Sequence, residues 1–185
     1  MSSTHFDLSR LRLHGEPCPP DLEQLVTHGL DWITGLGVTF GFEKEWAPWA
    51  DKSYLTPADL VNPDITANVK AIDDVCEHIR FVAQMDGGEC IGYWVGPVPR
   101  PLSECPLVYY DTEGQFELCG SRFVESLFFL IYDEETLVEI REVCADLGIT
   151  LDFTSLNDIP IPASSITPDA YHEQRYEFHL QNPAS

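Results

Sequence analysis

Positive charge is what this sequence has least of: ten Lys and Arg stand against 31 Asp and Glu in 185 residues, a formal net charge of -21. A chain so charged repels phosphate backbones and anionic membrane surfaces, so direct nucleic-acid or membrane binding is not expected. A basic protein partner is attracted instead, with faster encounter at low salt. Solubility or adaptation to a salty interior explains the same acidity, so charge restricts the partner without naming it.

Long apolar runs are also missing. The longest lies near Leu127–Ile131, far short of the roughly 20 residues that span a bilayer. The first residues, MSSTHFDLSRLRLHG, show no basic-then-apolar run and no small-residue cleavage site, so no signal peptide is expected. Six cysteines (Cys18, Cys76, Cys90, Cys105, Cys119 and Cys144) contain no C-x-x-C pair. Without an export signal the expected compartment is the reducing cytoplasm, and thiols among apolar neighbours read as small core residues.

Catalytic signatures are absent too. There is no G-x-S-x-G, P-loop, dinucleotide fingerprint or H-E-x-x-H. The histidines fall singly, and no metal or cofactor is expected. His172 and His179, with Glu173 and Glu177 nearby, come nearest to a metal site, but a solvated helix face explains them. A cysteine nucleophile paired with a distant histidine such as His78 is the remaining enzymatic option. Cys90 follows Glu89, whose charge raises a thiol pKa and lowers its reactivity. The expectation is a protein that is not an enzyme.

What is present is enough apolar sequence for one core: 44% of residues are hydrophobic and 11% aromatic, which excludes a disordered acidic tail. A single domain over 1–185 is expected. Pro20 and Asp21 suit a helix start, with Leu22, Leu25, Val26, Gly29, Trp32 and Ile33 at helical spacing and Gly35 or Gly37 as the stop. Residues 41–64, rich in proline and charge, read as an irregular insertion carrying Trp46, Trp49 and Tyr54. Aromatics there either pin the loop to the core, the commoner arrangement, or serve as contact anchors.

A helix follows from near Thr66, and then a hairpin, 80–85 and 90–95, around the turn Asp86-Gly87-Gly88-Glu89. Strands at 107–110 and 116–119 flank Asp111-Thr112-Glu113-Gly114, which completes an antiparallel meander of at least four strands. Ser121 caps a helix with a wide apolar face: Phe123, Val124, Leu127, Phe128, Leu130 and Ile131. A second helix begins at Asp133 and stops at Gly148; residues 149–153 read as one more strand, and Thr167-Pro168 opens a C-terminal helix. Separate helical and strand runs indicate an α+β fold, the meander packed against helices.

One charge pattern is sharp. Glu135, Glu139, Glu142 and Asp146 recur at 4, 3 and 4 residues along one helix face. Like charges so placed cost about 0.2–0.5 kcal/mol per pair. The stripe is either an electronegative docking surface or an ordinary solvated face.

The segment Gly87 to Leu130 resembles the SUKH superfamily of immunity and cell-wall-regulator-like proteins. The residues that carry the likeness are Gly87-Gly88-Glu89-Cys90-Ile91-Gly92-Tyr93-Trp94, Pro106-Leu107-Val108-Tyr109-Tyr110-Asp111-Thr112-Glu113-Gly114, Phe116-Glu117-Leu118 and Ser121-Arg122-Phe123-Val124-Glu125-Ser126-Leu127. The family's N-terminal helix and Leu-Pro signature is only loosely echoed between Pro19 and Trp32, and 41–64 and the tail beyond Gly148 look like additions. The resemblance implies a SUKH-like fold and a cytoplasmic immunity protein that neutralises a cognate toxin, commonly a nuclease, by direct binding. The protein-binding residues expected are Trp46, Trp49, Tyr93, Glu135, Glu139, Glu142 and Asp146. A regulatory adaptor of the same fold, binding an endogenous protein, is the alternative. The oligomeric state is left open.

Overall fold

The computed structural model describes residues 7–128 and 134–183. Its one sheet is an antiparallel meander in chain order: β1 (Val38–Phe40), β2 (Ile79–Met85), β3 (Cys90–Trp94), β4 (Leu107–Tyr110) and β5 (Phe116–Gly120). Around it lie α1 (Leu8–Leu11), α2 (Pro20–His28), α3 (Leu30–Gly35), α4 (Pro63–Cys76), α5 (Phe123–Phe128), α6 (Glu134–Asp146) and α7 (Pro168–Gln181). The fold is α+β with the meander packed against helices, as the sequence pattern predicts. β1 is the strand that the pattern hides, because three residues show too little alternation to register.

The sheet is covered on both faces. Ile91 and Tyr93 of β3 face a core built with Leu22 and Leu25 of α2, Phe123 and Leu127 of α5, and Ile140 and Cys144 of α6. Cys90 and Trp94 face a second core with Ile72, Val75 and Cys76 of α4. All five β3 residues are therefore buried, which is why CIGYW reads as a continuous run.

At Val82 the register of β2 against β3 slips by one residue. The bulge turns Val82 and Ala83 toward the first core, while Ile79 and Phe81 stay on the second. Opposite Phe81 sits Gly92, where a Cβ would lie 2.6 Å from Ile79 Cγ2 and 2.8 Å from Phe81 Cα. Only glycine lets the strands approach this closely.

The helix ends follow local chemistry. The Asn62 side chain accepts the Asp64 N–H at 3.0 Å with Pro63 in the first turn of α4, and Thr167 caps α7 ahead of Pro168. α6 stops in a Schellman motif: Ile149 N–H reaches Cys144 O at 2.7 Å and Gly148 N–H reaches Ala145 O at 3.0 Å, with Gly148 at φ 72°. α7 is not held by an apolar stripe. Arg175 and His179 both reach Asp74 of α4, at 2.6 and 2.7 Å. At the other end of α7, the backbone N–H of Phe116 on the last strand, β5, favours the ionised Asp169 carboxylate against its burial.

Four sequence expectations need correction or completion. The helix expected from Pro20 to Gly35 or Gly37 is two helices, broken at Gly29, where a Cβ would sit 2.9 Å from Leu147 Cδ1. Residues 149–153 are not a strand. Ile149 and Phe153 are buried, but Arg122 donates to Thr150 O at 2.6 Å and Arg141 donates to Phe153 O, so arginines replace a ladder. Within 41–64, single turns of tight helix form at Pro48–Ala50 and Asp59–Val61, and α4 already begins at Pro63. Leu130, Ile131 and Asp133 lie outside the described residues. Among the described residues no helix is long and apolar enough to cross a membrane.

Candidate functional site

The acidic stripe lies on α6, whose Ile140 and Cys144 turn inward. Glu139, Glu142 and Asp146 are exposed together with the apolar Val138; the Glu135 side chain lies outside the described residues. The helix presents carboxylates outward, as their spacing requires.

The sparse cations do little to offset them. Arg12 donates to Gly41 O at 2.6 Å and to Glu43 O, Arg80 to Glu77 O at 3.3 Å, and Arg100 to Ala163 O at 2.9 Å. With Arg122 on Thr150 O and Arg141 on Phe153 O, five arginines clamp the chain's own backbone carbonyls. Arg122 pairs with the Glu125 carboxylate as well, at 2.8 Å, but ten cations in all face 31 carboxylates. The surface keeps its anionic character.

The aromatic anchors fare differently. Trp49 stacks on Phe81 with ring centroids 4.3 Å apart, Trp46 meets Trp49 edge-on at 5.2 Å, and the Arg12 guanidinium lies 4.9 Å above the Trp46 ring. Both tryptophans are half-buried against the second core, so they pin their segment to the sheet. Tyr93 is corrected outright as a surface anchor: it is 1% exposed, because its place on β3 turns it inward. The exposed apolar side chains of the same irregular segment are Tyr54, one of the aromatics weighed as a pin or an anchor, and Leu60 and Val61, which sequence reasoning did not single out.

Tyr93 is instead among the residues that line a cleft of about 760 Å³. One wall is the start of α2, Pro17 to Asp21; the others are Pro101 and Leu102, Ser121 and Arg122, and the Gly148–Thr150 segment. Two carboxylates organise its inner end. Asp21 accepts the Val124 N–H at 3.1 Å. Glu125, with a side chain 0% exposed, accepts the N–H of Ser121 and Arg122 at 2.8 and 3.0 Å and the Arg122 Nε at 2.8 Å. Together they satisfy the open N–H groups at the start of α5. Burial raises the Asp21 pKa against the lowering by the N–H groups of Val124 and Leu22 and by Arg122. The Tyr93 hydroxyl is buried and has no hydrogen-bond partner among the described residues. Burial, and then the charge of Asp21 and Cys18, push its pKa well up. Sequence alone gave no signal for this cleft, since its walls come from five separated stretches.

The thiols are poor nucleophiles. Burial pushes Cys18, Cys76 and Cys90 up to about 12 and Cys105 and Cys144 up to about 11, and raises Cys119 further. At Cys90, Glu89 adds to the rise, as expected. Five of the six are buried, and Cys18 is half-buried. His172 and His179 are not brought together around a site: His179 is engaged by Asp74, and His172 stacks near Tyr176. Among the described residues no group of three or more His, Cys, Asp or Glu could hold a metal.

Comparison of the chain with protein-family models, with curated proteins and with solved structures finds no match in any of the three.

Proposed function

We propose that this protein acts in the cytoplasm by binding a basic protein, and that it neutralises a cognate toxin, with a nuclease as the leading class. The observation that supports this reading is an exposed acidic helix face, Glu139, Glu142 and Asp146, on a chain of net charge -21. Such a surface attracts a basic domain over a Debye length and disfavours phosphate. It can occupy the place where a nuclease holds its substrate's phosphates, joining fast association to occlusion. The likeness of Gly87–Leu130 to SUKH immunity proteins points the same way. Thiols held protonated weigh against a cysteine hydrolase.

The test is co-expression with each toxin-like gene that neighbours this one, read by pull-down and cell survival. Rescue with a complex whose association slows as salt rises is the expected result. Charge reversal at Glu139, Glu142 and Asp146 should weaken capture and flatten the salt dependence while leaving folding intact, since these side chains are exposed. If every toxin kills and none is captured, immunity is overturned, and endogenous partners become the object of search.

A further inference from the structure

The Tyr93 hydroxyl poses a question that the acidic surface does not answer. It is a donor and an acceptor, enclosed, and without a partner among the described residues. Leaving such a group unmade costs about 1–3 kcal/mol in a folded chain. The cost is offset when something entering from outside completes the bond. The residue is among those that line an open cleft, so an entering group comes up against it.

The chemistry of the cleft selects what enters. Its body is apolar, with Pro19, Pro101 and Leu102 among its walls. Gln24, Ser103, Ser121 and Thr150 offer both donors and acceptors, and its two anionic groups are the Asp21 carboxylate, buried to 6% exposure, and the Glu16 carboxylate, which also takes the Leu102 N–H at 3.3 Å. The one guanidinium, Arg122, is already held by Glu125 and by Thr150 O. An anion would meet two carboxylates and the field of the whole acidic chain. A cation would meet a buried carboxylate and a phenol oxygen free to accept.

We propose that this cleft binds an organic cation, an alkylammonium or alkylguanidinium group on an apolar stem, with its head at Tyr93 and Asp21 and its stem along the proline wall. The site stands without the immunity reading, because its evidence is the cleft and not the acidic helix. The cation is either a free small molecule or a Lys or Arg side chain offered by a protein.

The experiment titrates the folded protein with butylguanidinium, butylammonium, butanol and butyrate while following the amide resonances of Cys18, Tyr93, Arg122 and Thr150. Saturable shifts with the two cations, weaker ones with butanol and none with butyrate are the expected result. Tyr93→Phe and Asp21→Asn should each weaken cation binding by about tenfold or more, the worth of a hydrogen bond to a charged group. Tyr93→Phe should also leave the thermal midpoint of the free protein unchanged or raised, because it removes an unpaired hydroxyl; Asn at 21 keeps an acceptor for Val124. A second arm uses capped short peptides with one Arg or Lys: tighter binding than the free cation assigns the cleft to a protein side chain, and exclusion assigns it to a small molecule. The proposal is overturned if neither cation saturates, if butyrate binds equally well, or if Tyr93→Phe lowers stability and leaves binding intact.

Discussion

Arg175 on α7 and Asp74 on α4 meet at 2.6 Å, and this ion pair closes the sheet's second face where the helix itself offers little apolar surface. Burial raises the Asp74 pKa, but hydrogen bonds from Arg175 and His179 outweigh it and hold the carboxyl below the usual range. A depressed carboxylate contributes stability that is present above its unfolded pKa and is lost as pH falls through the folded value. Acidification below the ordinary carboxylate range should therefore loosen α7 before the sheet. Hydrogen exchange of residues 168–181 against pH measures it, and Asp74→Asn should flatten that acid response while raising exchange at neutral pH.

The close approach at Gly92 predicts a second outcome. A Cβ there would press on Ile79 and on the backbone of Arg80 and Phe81. Backbone cannot yield as a flexible side chain does, so Gly92→Ala should cost about 1–3 kcal/mol. Chemical denaturation reads the loss as a shifted midpoint with unchanged slope.

Glu125 predicts a larger effect. Its carboxylate serves two backbone N–H groups, the Ser121 hydroxyl and Arg122 from a fully buried position. Glu125→Ala should cost about 3–5 kcal/mol, as removal of one partner from a buried pair does. A double-mutant cycle with Arg122→Ala should show strong coupling, because the two removals share one loss.

The cysteines predict silence. With thiol pKa values raised by burial, the thiolate fraction at neutral pH is small. A disulfide-exchange reagent should label the native protein slowly, half-buried Cys18 first, and all six cysteines only after unfolding. Rapid labelling of Cys90 in the native state would revive a nucleophile.

How far the sequence revealed this molecule depends on how local each feature is. The hairpin from Ile79 to Trp94 was legible because Asp86-Gly87-Gly88-Glu89 separates two strand-like runs, and α7 because Thr167-Pro168 is a complete start signal. The break at Gly29 was not legible, because apolar residues keep helical spacing on both sides of it and the close packing of Leu147 comes from more than a hundred residues away. Nor was the bulge at Val82, which depends on cross-strand register. ITLDF carries a strand's composition but lies where arginines, not a neighbouring strand, meet its carbonyls. On the candidate site, the outward stripe of α6 followed from periodicity alone. Tyr93 was picked as an aromatic and misplaced as a surface group, because both faces of β3 are covered, and composition does not tell which covered face holds a cleft.

The contact of Asp169 with Phe116 has a consequence for how copies of this chain behave when crowded. The final strand of a meander ends in open backbone groups, a template on which a second copy could add a strand and begin a fibre. Here a carboxylate from the chain's own last helix stands close enough to one of those N–H groups to be favoured by it. Its negative charge, in a molecule that already repels itself, makes the sheet's outer margin a poor seed for aggregation.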